Sequence, residues 1–172
     1  MEWRKALQRV EDGGMVAMVV GSRNSGKSTL ARLALQRAAS SSFDDVVPIL
    51  VDTDPGQPEA SCPGTISFTH LTASTPATYN PKTLCACTLQ KQHSHVIPVG
   101  ATSPSQDPAL FLAACSHLQH TLLHHLSSLA SSSSSSSSAP NFVIVINTPG
   151  WVRGVGLEVQ DALVRLFAPT VV

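Results

Sequence analysis

The sequence predicts an α/β protein built on a mainly parallel sheet, and three observations carry that prediction. MVAMVV (15–20), VVPILV (46–51) and NFVIVIN (141–147) are apolar runs without alternation, as expected of strands covered on both faces. Segments of helical period separate them, at 27–39 and again from Asp107 onward. The resulting order of strand, helix, strand, long excursion, helix, strand, helix fits helices layered over a parallel sheet.

Each element has its own signals. Residues 2–11 place Trp3, Ala6, Leu7 and Val10 on one side, so an N-terminal helix is expected within 1–14, stopped by Gly13-Gly14. KSTLARLALQRAA (27–39) combines good helix formers with Leu30, Leu33 and Ala34 at helical spacing. Pro48 suggests that the second strand is an early or edge position. Residues 55–82 are rich in Pro, Thr, Ser and Gly and read as loop with one strand near Thr65–Phe68; TLCACTL (83–89) is a further strand candidate. Asp107-Pro108 is an N-cap followed by proline at the first helical position. From there Phe111, Cys115, Leu118, Leu122, Leu126 and Leu129 mark one face of a long helix. A tract of serines, Ser131–Ser138, follows, and 127–140 is expected to be a flexible insertion with no packing value. LEVQDALVRLF (157–167) is a last amphipathic helix, and PTVV opens a strand.

Composition narrows the function classes. The chain has 172 residues, 42% hydrophobic, with a formal net charge of zero; it suits one domain with a proper core and exerts no global pull on nucleic acid. No run approaches the roughly 18–20 apolar residues of a membrane span. Cys62, Cys85, Cys87 and Cys115 form no CxxC pair, so reduced thiols are expected rather than zinc ligands. His117, His120 and His124 form one rough stripe on the long helix, without an acid or cysteine joined to it, and read as a polar face.

The strongest motif is GSRNSGKST (21–29), which matches G-x-x-x-x-G-K-[ST] between a buried strand and a helix. Gly21 and Gly26 let the chain wrap a phosphate, with the backbone of Ser22, Arg23, Asn24 and Ser25 completing the loop. The helix start adds its positive end. Lys27 is expected on the β- and γ-phosphates of ATP, and Ser28 on Mg²⁺, with Thr29 beside them. The domain expected over 1–172 is therefore a P-loop NTPase three-layer sandwich.

A carboxylate must accompany that loop. At the end of 141–147, where many P-loop hydrolases carry an aspartate for magnesium, the chain has Asn147. The neighbouring strand ends VDTDPGQPE (51–59), where Asp52 and Asp54, two apart, share a face if the strand stays extended. Asp54 abuts the Pro55-Gly56 turn and is the candidate for metal binding and proton acceptance, with Asp52 supporting it or contacting the nucleotide. Gln57 is a candidate phosphate or nucleophile contact; Glu59 reads equally as functional or solvated. Thr102 and Ser103, in a polar loop, are candidate substrate contacts.

Together GSRNSGKST, DTDPGQPE (52–59) and NTPGW (147–151) resemble the RNA-processing polynucleotide 5′-hydroxyl kinases. DPGQPE, INTPGWVRGVG and GATSPSQDP (100–108) look closest to the nucleolar branch, which acts in ribosomal RNA processing. The resemblance implies transfer of the ATP γ-phosphate to the 5′-hydroxyl of RNA, with Lys27 and Asp54 catalytic and Thr148, Gly150 and Trp151 as a clasp on the RNA end. It implies a nucleolar location and a protein complex as partner. It also implies a lid with arginines further along the chain. Nothing after Leu157 supplies that lid, so the lid region is expected to be missing, with ATP bound and transfer slow or absent. The alternatives are an NTPase switch and a non-catalytic, ATP-bound assembly module.

Overall fold

The computed structural model describes residues 14–39, 46–70, 94–132 and 141–172. Its elements are β1 (Met15–Val19), α1 (Lys27–Ala39), β2 (Val46–Asp52), β3 (Thr65–His70), β4 (Ser94–Pro98), α2 (Pro108–Ser132), β5 (Asn141–Asn147) and α3 (Val155–Phe167). One sheet runs β1-β5-β2-β3-β4. β5 pairs in parallel with β1 and β2, whereas β3 lies antiparallel to both its neighbours. The expected helix at 1–14 and the strand candidate at 83–89 lie outside the described residues, apart from Gly14.

The unbroken apolar runs are explained by two cores. Along β5, Val143 and Val145 face α1, where Ala31, Ala34, Leu35 and Ala38 are buried. Ile144 and Ile146 face the other way, onto Phe111, Cys115, Leu118 and Leu122 of α2 and Val159 and Leu163 of α3. Period-two alternation thus sends the apolar residues of β5 into one core or the other. The result is three layers, helix–sheet–helix. The alanines of α1 keep that helix close to the sheet; full burial of Leu35 or Phe111 stabilises by about 1.5–3 kcal/mol each.

Three expectations need correction. Pro48 lies in an interior strand, between β5 and β3. It is tolerated because Thr53 N–H points to β5, so by strand alternation the Pro48 nitrogen faces β3, one step past the described pairing at Ile49–His70. Residues 127–132 are helical rather than part of a flexible insertion: the hydroxyls of Ser127 and Ser131 bond back to the carbonyls of Leu123 and Ser127 and finish α2. The remaining 133–140 lie outside the described residues. Finally, Asp52 ends β2, so Asp54 is already in the following loop and the two do not share a strand face.

The helix signals hold. Asp107 Oδ1 accepts from Leu110 N–H at 2.9 Å as an N-cap. α3 ends with Ala168 in the left-handed conformation, its N–H on the Val164 carbonyl. The chain then returns to β1, where Val171 bridges Ala17 in parallel.

Candidate nucleotide-binding site

The carboxyl ends of β1, β2 and β5 are adjacent, and the loops leaving them meet around one cavity of about 780 Å³. The first loop, 21–26, takes left-handed backbone at Asn24 (φ 62°) and Gly26 (φ 88°), the turn that coils it over the start of α1. Arg23, Asn24, Gly26, Lys27, Ser28 and Thr29 line the cavity. Gly21, Ser22 and Ser25 do not: they build the loop. A Cβ on Gly21 would sit 2.7 Å from Ser25 Oγ. Lys27 is buried and its Nζ donates to the Ser22 carbonyl at 2.9 Å, folding the ammonium back over its own loop.

The second loop carries the carboxylates, which have different tasks. Asp52 is fully buried. It accepts from the backbone N–H of Asp54 and Glu59 and from Asn147 Nδ2. Burial nevertheless dominates and pushes its carboxyl up to about 7, against the lowering effect of those three donors. Asp52 therefore braces the turn from behind and does not line the cavity. Asp54 does line it, beside Gly56 and Gln57. Its Oδ1 also accepts from Gly56 N–H at 3.0 Å, an Asx turn that sets the carboxylate's direction. Glu59 is neither solvated nor in the cavity: it pairs with Arg32 of α1, Nε to Oε2 at 2.7 Å.

The third loop follows β5. Asn147 is buried and acts as a donor to Asp52, while its backbone carbonyl takes both the N–H and the hydroxyl of Thr53. Thr148 does not face the cavity as a clasp residue would. It is fully buried, with its hydroxyl on the Val19 carbonyl, and roots the loop on β1. Pro149, Gly150 and Trp151 do line the cavity. Gly150 is required by proximity, since a Cβ there would lie 2.8 Å from Arg23 N and 2.9 Å from its Cα. The Trp151 indole is half-buried: one side packs on Gly156 and the α2–α3 core, and it still reaches the cavity. Gln160 Nε2 donates to the Pro149 carbonyl and steadies the loop from α3.

A fourth wall comes from the loop between β4 and α2. Thr102 and Ser103 are on it as expected, joined by Pro104 and Ser105, which sequence reasoning missed. The signal available for them was only position: they continue the same polar loop. Arg153 is exposed and does not line the cavity, and Arg165 pairs with Asp161 on the outer face of α3. His117, His120 and His124 are exposed on α2, away from these walls. Burial pushes the Cys115 thiol up, and Cys115 packs in the core.

The donor set fits a nucleoside triphosphate with a divalent cation. Lys27, Ser28 and the N–H groups opening α1 share a cavity with Asp54. Asn147 Oδ1 is a buried acceptor with no partner among the described residues, behind the cavity wall rather than on it.

The family described as "mRNA cleavage and polyadenylation factor CLP1 P-loop" matches residues 21–172. The chain belongs to the CLP1 P-loop family. Curated relatives named polynucleotide 5′-hydroxyl-kinase GRC3 are 30% identical over 98% of this chain in Gibberella zeae and 31% identical over 91% in Eremothecium gossypii. The Saccharomyces cerevisiae protein of that name is 29% identical over 89%. The chain spans 22%, 24% and 22% of the lengths of these relatives, respectively. A solved Clp1p–Pcf11p complex shares the fold of this CLP1-family domain, with a TM-score of 0.70 at 17% identity, over 98% of this chain and 40% of that one.

Proposed function

We propose that this CLP1-family chain is the nucleotide-binding part of an ATP-dependent polynucleotide 5′-hydroxyl kinase that phosphorylates RNA ends in ribosomal RNA processing. The observation that carries the reading is that Lys27, Ser28, Asp54 and Trp151, from three separate loops, line a single cavity. The GRC3 names of its relatives support the same activity.

In this reading the 21–29 loop holds the ATP phosphates, and Lys27 leaves the Ser22 carbonyl for the β- and γ-oxygens. Asp54 accepts the proton of the 5′-hydroxyl while the new oxygen–phosphorus bond forms and the bond to the β-phosphate breaks, releasing ADP. Ser28 and Asp54 are the residues that would hold Mg²⁺, which supplies charge neutralisation across the phosphates. Trp151 offers the free side of its indole to a base, an interaction worth about 1–3 kcal/mol and blind to sequence. A protein complex and a nucleolar setting follow from the resemblance of DPGQPE and INTPGWVRGVG to the nucleolar kinases.

Transfer of labelled γ-phosphate from ATP to a short 5′-hydroxyl RNA tests the proposal. Transfer by the wild-type chain that falls at least about 100-fold in Asp54→Asn, with ATP affinity retained, is the expected result. ATP binding with no transfer, even by a protein that runs on through the lid region, would favour a switch or an assembly module.

A further inference from the structure

The inner face of α3 buries one polar side chain. Val159 and Leu163 pack there in the apolar core, Gly156 has no side chain, and Gln160 is an amide only 3% exposed. A buried amide costs stability unless it is hydrogen-bonded, and an aliphatic side chain of the same length would fill the place without that cost. Gln160 directs its donor to the loop that carries Trp151. Nε2 donates to the Pro149 carbonyl at 2.8 Å and lies 3.5 Å from the Trp151 carbonyl oxygen. Its Oε1 has no partner among the described residues. The residue suits the loop better than it suits the core.

Gly156 stands one turn earlier on the same face of the helix. The chain reaches it from Trp151 by a reversal: Gly154 takes φ 55°, and the N–H groups of Gly156 and Leu157 donate to the carbonyls of Arg153 and Gly154. That turn lays the indole on the start of α3. A Cβ on Gly156 would sit 2.6 Å from Trp151 Cγ, 2.7 Å from its Cδ1 and 2.6 Å from its carbonyl oxygen. Only glycine leaves this space empty. Neither Gly156 nor Gln160 lines the cavity, whereas Pro149, Gly150 and Trp151 do.

The loop and its ring are thus mounted on α3 at two points, the carbonyl of Pro149 on Gln160 and the indole on Gly156. We propose that Gly156 and Gln160 are positioning residues that fix the direction in which Trp151 presents its indole, and that they set affinity for the acceptor strand without touching acceptor or nucleotide. The inference rests on the reading of Trp151 as the contact to a base. A ring already seated on the helix has no rotamer left to order when the base arrives, which keeps the stacking energy available for binding.

Fluorescence anisotropy of a short 5′-hydroxyl RNA labelled at its 3′ end, with ADP and Mg²⁺ present, tests the seat. The proteins compared are wild type, Gly156→Ala, Gln160→Met, Trp151→Ala, and each seat variant combined with Trp151→Ala. Gly156→Ala drives a methyl into the indole although alanine is the better helix former. Gln160→Met keeps the side-chain length and removes the donor. Each should weaken RNA binding about fivefold, the lower end of what one stacked base contributes. Calorimetric ATP affinity should stay within about twofold, and on the Trp151→Ala background neither change should cause further loss, because the ring they aim is gone. RNA affinity unchanged in the seat variants overturns the inference, as do losses that persist without the indole. An equal loss of ATP affinity also overturns it, since α3 would then be supporting the phosphate loop as a whole. Gln160→Met carries the test if Gly156→Ala does not fold. If Trp151→Ala binds RNA like wild type, the base contact falls and the seat with it; if ATP binds and RNA does not, the kinase reading itself falls.

Discussion

Asn147 donates from Nδ2 to Asp52 Oδ1 at 3.1 Å, joining the last residues of two neighbouring parallel strands that are 95 positions apart in sequence. The acid that many P-loop hydrolases keep on the strand of Asn147 is here on the next strand, and the amide is its partner. Asp52 in turn holds the N–H groups of Asp54 and Glu59, so the pair supports the turn that presents Asp54 to the cavity.

Asn147→Asp should therefore destabilise the fold rather than restore a metal ligand. It sets a second carboxylate against a buried one and removes a donor, at a cost on the order of 3 kcal/mol near pH 8. Exchanging both residues, Asp52→Asn with Asn147→Asp, should recover only part of that loss, because the N–H groups of Asp54 and Glu59 then face an amide. Urea unfolding of the three variants measures this; an Asn147→Asp variant as stable as wild type would refute it.

Stability should also carry a pH signature of Asp52. Its carboxyl is pushed from 3.8 up to about 7 by burial. Between those values the folded state binds a proton that the unfolded state has released, so this group's contribution is full below about 4 and is lost as pH rises through about 7. Wild type should lose stability across that window relative to Asp52→Asn, whose profile lacks the slope. Chemical denaturation at a series of pH values gives both curves.

Gly150→Ala should weaken ATP binding. The added methyl would lie 2.8 Å from the Arg23 backbone nitrogen, and backbone on both sides leaves no flexible tip to yield. Overpacking of this kind costs about 1–3 kcal/mol, here taken from the register of the phosphate loop and the Trp151 loop. Calorimetric ATP affinity should fall about tenfold or more; an unchanged value would show that the two loops move independently.

The Arg32–Glu59 pair should be worth more than an ordinary surface bridge, since Glu59 is 7% exposed although Arg32 is 33% exposed. A double-mutant cycle with Arg32→Ala and Glu59→Ala should give a coupling of about 1 kcal/mol, discounted for solvent screening at the arginine. A coupling near zero would leave the DPGQPE turn held by Asp52, the Asp54–Gly56 turn and the Gly64 N–H on the Pro55 carbonyl.

Much of this was legible in the residues themselves. The phosphate loop, its flanking strand and helix, the Asp107 cap and the doubly buried strands all announce themselves through local pattern. The division of labour between Asp52 and Asp54 was not legible, because it depends on where β2 stops, and one residue decides whether a side chain faces core or cavity. Thr148 shows the same limit: it sits inside a motif whose neighbours line the cavity, yet its hydroxyl is taken by Val19. Glu59 needed a partner on α1 that no local spacing reveals. Pro48 misleads because strand order is a long-range property; β2 proves to be an interior strand.

The strand order also bears on how the molecule forms. β5 sits between β1 and β2 but is made after both. Until residues 141–147 emerge, β1 and β2 have no common neighbour in the sheet, and the loops that carry Lys27 and Asp54 are linked only through the packing of α1 on β2 and the Arg32–Glu59 pair among the described residues. Folding must thus close long stretches of chain before the central strand is rewarded with contacts on both sides, a topology associated with slow folding. Partly synthesised chains expose two apolar strand edges in the interval. The inserted strand works as a keystone: the nucleotide cavity is among the last features to exist, and nucleotide binding would report completed folding rather than guide it.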